Sequence, residues 1–140
     1  MPSDDPTVVR VLAIHTDDIV TALEANARRD AGAVLRVTPP FGGRMRARLH
    51  LAGKEAAYGD PAPLHVDPEG LVDAPPYPDP DQTEDDLRAD PEASYTPDRH
   101  RERHEAAVAA WRETVRASIR ERATIDTPAG AHEVEIRTLG

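Results

Sequence analysis

Arginine side chains recur at every second position along one stretch of the chain, at Arg44, Arg46 and Arg48. The residues between and after them are apolar: Met45, Ala47, Leu49 and Leu51. Alternate side chains of a β-strand point to the same face. A guanidinium is a planar, permanently charged fork that binds phosphate or carboxylate bidentately. The pattern therefore predicts a half-buried strand with one arginine-lined face suited to anionic groups.

The sequence around this strand is basic, although the whole chain carries a net charge of −9. Residues 28–54 contain six arginines and one lysine against a single acid, Asp30. Arg36 lies on the preceding predicted strand, and residues 39–43 form the predicted tip between the two strands. Phe41 in this tip is expected to be available for stacking. The predicted partner- or phosphate-binding residues are Arg36, Phe41, Arg44, Arg46 and Arg48.

Three interpretations of the arginine-lined strand follow from charge alone. It binds a protein partner, it binds nucleic acid or phosphate, or an acidic segment of the same chain neutralises it. Residues 60–98 hold twelve acids against one arginine and could supply that internal counter-charge. Binding to a phosphate backbone weakens steeply with salt. We therefore expect a protein partner, with nucleic acid as the alternative.

Two histidines near the start of the last predicted helix, His100 and His104, are four residues apart and share one helix face. Such a pair can contribute to a metal site. The neighbouring Arg101 and Arg103 disfavour a cation, and the spacing is not the His-Glu-x-x-His pattern of zinc proteases. Packing or solvated histidines are the expected reading, with no metal or cofactor assigned. A metal-dependent enzyme around this pair is a distant alternative.

A group of carboxylates occurs between residues 79 and 86, and paired acids can perform acid–base chemistry. Their spacing matches no calcium-binding loop, and no apolar surroundings are present to shift a pKa. We interpret this group as a solvated acidic loop. No catalytic residue is assigned, and an enzyme is not expected.

The elements that position these residues follow from hydrophobic periodicity. Strands are predicted at 8–14, 33–38 and 44–51, the last two as a hairpin. A helix is predicted after the first strand, with Thr16 as its N-cap and Gly32 beyond its end.

The C-terminal half begins with a Pro/Asp-rich stretch at about 73–95, which is predicted to be an extended connector because proline interrupts regular hydrogen bonding. A long helix follows from Pro97 to about Arg122, with Trp111 in its apolar seam. A closing hairpin is expected over 124–137. The prediction is a single α+β domain spanning 1–140, with one small mixed or antiparallel sheet packed against two helices.

The amino-acid composition indicates the cellular environment in which the protein is expected to work. The chain has 26 acidic and 17 basic residues and no cysteine, and Lys54 is its one lysine. Acid-rich, lysine-poor surfaces suit molar salt, where carboxylate repulsion is screened. Apolar runs are too short to span a membrane, and the N-terminal residues lack the features of a signal peptide. We expect a cytoplasmic protein of a halophilic archaeon.

Four segments resemble a family of small haloarchaeal proteins to which no activity is assigned. They are VLRVTPPF (34–41), GRMRARLH (43–50), PPYPD (75–79) and YTPDRH (95–100). The resemblance covers most of the chain and implies no reaction, ligand or catalytic residue. The function expected from the sequence is therefore a small non-enzymatic interaction or regulatory protein.

Overall fold

The computed structural model describes residues 3–51 and 61–140. These residues contain three α-helices and seven β-strands, which confirms the predicted α+β class. The chain divides into two compact units. The first unit comprises the described residues up to Asp73 together with Ile119–Gly140, and the second is Ala74–Ser118.

The first unit contains two sheets, where the sequence predicted one. The four-stranded sheet has the order β3-β1-β7-β6. Its strands are β1 (Val11–His15), β3 (Arg44–Arg46), β6 (Arg122–Thr127) and β7 (Gly130–Leu139). Strand β1 is parallel to both neighbours, whereas β6 and β7 form the predicted antiparallel hairpin. The three-stranded antiparallel sheet has the order β4-β2-β5. Its strands are β2 (Ala33–Val37), β4 (Arg48–Leu51) and β5 (Leu64–Val66).

Helix α1 (Thr16–Arg29) connects β1 to β2 and has acids in its first turn and arginines in its last turn. This arrangement complements the helix dipole. Thr16 is the first helical residue and is buried, so its predicted role as N-cap is wrong; the N-cap is His15. The helix ends at Asp30, which adopts a left-handed conformation with φ 48°. The Asn26 side chain then exchanges two hydrogen bonds with the backbone of Ala33, which fixes the entry into β2.

The core of the first unit lies on the apolar faces of the sheets. Alternate residues of β1 and β2, such as Leu12, Ile14 and Leu35, are fully buried. Ile19 of α1 is buried to the same extent. These buried residues are the ones that the period-two spacing of the strands and the helical spacing of α1 place on the interior faces.

The second unit is a helical hairpin of α2 (Pro80–Ala89) and α3 (Pro97–Ala117). The extended connector predicted for 73–95 is therefore wrong over its central part. The Asp79 carboxylate accepts a hydrogen bond from the backbone N–H of Asp81, and Pro80 occupies the first turn. Both are typical helix-start features. Leu87 is fully buried and gives α2 an apolar anchor.

Helix α3 begins as predicted and ends five residues earlier than predicted. The Thr96 hydroxyl accepts from the backbone N–H of Arg99 at 3.0 Å, which caps the helix. After Ala117 the chain joins the first unit. There Ile119 forms a β-bridge with Val72, and the N–H of Arg120 donates to the carbonyl of Leu71. These backbone hydrogen bonds replace the ones that a longer helix would have made.

Trp111 is buried on α3 and anchors the segment that precedes α2. Its indole N–H donates to the carbonyl of Pro75 at 2.9 Å. The ring of Tyr77 meets it edge to face, with centroids 4.9 Å apart and an interplanar angle of 83°. Aromatic pairs favour this geometry, and the contact with Tyr77 helps to fix this segment.

Candidate anion-binding face

The arginine-bearing strand passes from one sheet to the other at Ala47. Strand β3 pairs with β1, whereas β4 pairs with β2. Ala47, which lies between β3 and β4, is fully buried, and its N–H donates to the carbonyl of Ala13 at 3.1 Å. The predicted hairpin between 33–38 and 44–51 is therefore formed by the second half of that strand alone.

The alternation of faces continues through this crossing. Met45 lies opposite Leu12 on β1, and Leu49 lies opposite Leu35 on β2. Leu12 and Leu35 both belong to the buried faces. Directly paired residues share a face, so the arginines beside Met45 and Leu49 lie on the opposite faces of their strands. Burial follows this division only in part, since Leu49 is 38% exposed and the Nε of Arg46 is buried. Four residues make up what we call the arginine face: Arg36, Arg44, Arg46 and Arg48.

Arg36 and Arg48 are directly opposite each other on neighbouring strands. Arg48 is exposed, and Arg36 is half-buried. Like charges in this position destabilise a sheet, by roughly 0.2–1 kcal/mol. The fold therefore places two cationic side chains together at an energetic disadvantage.

Two histidines complete this end of the arginine face. His65 on β5 lies opposite Arg36 on the side away from Arg48. One terminal nitrogen of Arg36 lies 3.2 Å and 3.3 Å from the two ring nitrogens of His50. The imidazole rings of His50 and His65 have centroids 5.8 Å apart. His50 continues the alternation of the arginines, so the sequence could have placed it on the arginine face. His65 lies beside Arg36 because β5 pairs with β2, and no local sequence pattern indicates this position.

Several other arginines of the described residues have ion pairs. Arginines that lie within 4.0 Å of a carboxylate include Arg88, Arg101, Arg103, Arg116, Arg120, Arg122 and Arg137. Within the described part of their own unit, Arg44, Arg46 and Arg48 form no ion pair. The Nε of Arg46 is buried and has no hydrogen-bond partner. An unsatisfied buried donor costs about 1–3 kcal/mol.

The acidic segment finds arginine partners outside the arginine face. Asp73 binds Arg120 in the first unit, and in the second unit Asp90 binds Arg103 at 2.7 Å. The hydrogen bond from Arg103 is the main reason that the pKa of Asp90 is lowered from its ordinary value. Asp73 and Asp90 therefore pair with arginines other than Arg44, Arg46 and Arg48.

Phe41 is not available for stacking, so this part of the predicted site is wrong. Its side chain is 1% exposed and is the largest of the fully buried side chains. The backbone N–H and carbonyl of Phe41 each form a 2.7 Å hydrogen bond with Ser3. An aromatic residue in a loop tip can turn inward when the tip packs on the core. No local sequence pattern distinguishes such a buried aromatic side chain from an exposed one.

His100 and His104 face helix α2. A ring nitrogen of His100 lies 2.8 Å from the carbonyl of Pro80, and one of His104 lies 3.1 Å from the hydroxyl of Thr83. Over residues 3–51 and 61–140, no cluster of three or more His, Cys, Asp or Glu side chains could hold a metal ion. The carboxylates predicted to lie in a loop belong instead to α2 and its cap.

No helix among the described residues has the length and apolarity to cross a membrane. The fold and the face together define a small α+β protein with arginines on two strands, β3 and β4, that belong to different sheets, and with Arg44 and Arg48 exposed. The chain belongs to the family described as Domain of unknown function (DUF8009), whose model matches residues 1–140. Comparison with curated proteins and with solved structures yields no match.

Proposed function

We propose that this chain is a non-enzymatic interaction protein that binds an acidic protein partner through the arginine face. The observation that carries the proposal is the direct opposition of Arg36 and Arg48, on a face where Arg48 lacks an ion pair within its described unit. The chain contains 26 acids, so carboxylates are abundant, yet none of those described in its own unit pairs with this exposed arginine. A partner would supply the missing negative charge.

The energetics of such a contact favour a partner of defined geometry. Arg48 is exposed, so an acidic group of a partner can reach its guanidinium. The planar fork of that guanidinium fixes the position of a bound carboxylate. Complementary charge also determines which partner binds and how fast it associates.

A protein partner is favoured over nucleic acid because of the salt dependence of phosphate contacts. Contacts with a phosphate backbone release counterions, so about four of them lose roughly three to four decades of affinity for each tenfold rise in salt. A short acidic surface that matches the arginine spacing avoids much of that dependence. Nucleic-acid binding is therefore the alternative that the nuclease step of the capture experiment distinguishes.

We expect the charge-reversal variant Arg48→Glu to lose a protein partner that the wild-type protein retains. The tagged proteins are used to capture partners from the native extract in about 2 M KCl, a salt level at which exposed charges farther apart than about 3 Å are screened. The matched control is Arg101→Glu, which makes the same change of two charges on α3. Circular dichroism confirms that both variants are folded.

A stoichiometric protein recovered with wild type and Arg101→Glu, resistant to nuclease and absent with Arg48→Glu, supports the proposal. Equal recovery by Arg48→Glu would contradict it. If the captured protein were lost after nuclease treatment, the arginine face would instead be assigned to nucleic-acid binding.

We also propose that the protein works in the cytoplasm of a halophilic archaeon. The support is its charge composition, with 26 acids and one lysine. At 1 M salt the screening length is about 3 Å, whereas at 0.1 M it is about 10 Å, so carboxylate repulsion grows on dilution. Dilution from 2 M to about 0.1 M KCl is expected to reduce the helical circular-dichroism signal, and restored salt should recover it. A signal unchanged by dilution would refute salt adaptation.

A further inference from the structure

The second unit contains a cavity of about 390 Å³ between the turn that joins α2 to α3 and the first two turns of α3. It is lined by Glu92, Ala93, Ser94, Arg99, Glu102 and Arg103. Small-molecule sites in proteins occupy about 300–1,000 Å³, so the cavity is large enough for a small ligand. All of the lining residues except Ala93 are charged or polar, and such a wall requires a ligand that is polar as well.

Hydrogen bonds hold the turn against α3. A terminal nitrogen of Arg99 donates to the carbonyl of Ser94 at 2.9 Å. The carboxylate of Asp90 accepts from Arg103 at 2.7 Å and from the backbone N–H of Glu92 at 2.9 Å. Because these contacts order the wall of the cavity before a ligand arrives, less conformational entropy is lost on binding.

The cavity brings together charges of both signs. Within the described residues of this unit, Glu92, Glu102 and Arg99 form no ion pair. Arg103 is neutralised by Asp90, whereas Arg99 donates to an uncharged carbonyl and keeps its charge. All three unpaired groups are exposed, so a ligand reaches them from solvent. The lining therefore offers two carboxylates for a cation and one guanidinium for an anion.

A small molecule that carries both an ammonium and a carboxylate group uses all of these side chains. An ammonium has three N–H donors and can donate to both glutamates. A carboxylate accepts strong, charge-assisted hydrogen bonds from a guanidinium. A simple cation would leave Arg99 without a counter-charge, and a simple anion would leave both glutamates without one. In a free α-amino acid the two groups share one carbon, so both fit within a single small cavity.

We propose that this cavity is a binding site for a free α-amino acid, with Glu92 and Glu102 binding its ammonium group and Arg99 its carboxylate. The site lies in the second unit, whereas the arginine face belongs to the first, so this function is additional to partner binding. In molar salt the screening length is about 3 Å, and the groups in direct contact with the ligand provide the electrostatic part of the affinity.

Three small molecules distinguish the ligand classes: L-alanine carries both charged groups, ethylamine carries the ammonium alone, and propionate carries the carboxylate alone. Each is titrated into the full chain at constant ionic strength in about 2 M KCl. NMR follows the backbone N–H signal of Ser94 and the side-chain Nε–H signal of Arg99. L-Alanine is expected to shift both signals saturably, with a dissociation constant at least about tenfold lower than those of ethylamine and propionate.

The variant Glu102→Gln keeps the shape of the side chain and removes its charge, so it is expected to weaken L-alanine binding about tenfold without weakening propionate binding. The matched control is Glu105→Gln, which alters an exposed glutamate of the same helix outside the cavity lining. It should change L-alanine binding less than about twofold. Circular dichroism confirms that both variants are folded.

Equal binding of ethylamine or of propionate would overturn the assignment of an α-amino acid. Unchanged binding of L-alanine by Glu102→Gln, or no saturable shift of the wild-type signals with L-alanine, would overturn the site itself. Partner capture by Arg48→Glu tests the proposed function separately, so the two failures are distinguishable.

Discussion

Replacement of Phe41 by alanine is expected to lower the free energy of unfolding by about 3–5 kcal/mol, the range for a fully buried phenylalanine. Its ring is 1% exposed, so the shorter side chain leaves a cavity and loses apolar contacts. Chemical denaturation followed by circular dichroism, with the same salt for each variant, measures this loss.

A matched control comes from the N-terminal region of the same unit. Val8 is 36% exposed, and Val8→Ala is expected to cost less than about 0.5 kcal/mol. If Phe41→Ala were equally mild and instead weakened partner binding, Phe41 would be a surface stacking residue and the buried position would be refuted.

Replacement of Trp111 by alanine is expected to destabilise the helical hairpin of the second unit by about 3–5 kcal/mol. The substitution removes the edge-to-face contact with Tyr77 and the hydrogen bond to the carbonyl of Pro75. Because Trp111 is the one tryptophan in the chain, fluorescence cannot report on this variant. The measurement is therefore amide hydrogen exchange of α2 and α3 together with circular dichroism.

Two further variants separate the contributions of Trp111. Trp111→Phe retains an aromatic ring and removes the N–H donor, so it should cost less than Trp111→Ala. Glu113→Ala alters an exposed position on the same helix and is expected to stay within about 0.5 kcal/mol of wild type. If Trp111→Ala matched Glu113→Ala, Trp111 would not anchor the segment around Pro75.

The arginine face illustrates how far the sequence pattern extends. The alternation of residues 44–51 predicted which side chains point away from the core, and the structure retains it in part: Ala47 is fully buried and Arg48 is exposed, whereas Leu49 is 38% exposed and the Nε of Arg46 is buried. Periodicity is a local property of the backbone, so it holds wherever the strand pairs. The pattern gave no indication that the strand changes sheets, because the choice of partner strand depends on residues distant in sequence.

Helix α2 shows a different limit. Asp79 and Pro80 are residues typical of a helix start, but the high proline content of 74–81 favoured the prediction of a connector. Burial of Leu87 then compensates for the weak helix preference of the acidic residues around it. Propensity alone favoured a connector, and packing within the second unit overrode that preference.

The sequence by itself determined the α+β class, the start of α3 at Thr96-Pro97 and the β6–β7 hairpin. All of these follow from side-chain periodicity and capping, which involve residues close together in the chain. The tertiary structure alone decided that Arg48 lies opposite Arg36, that His65 joins them, and that Phe41 turns inward. Each of these depends on the register between separate strands or on the space left in the core, and both are determined by packing over the whole unit.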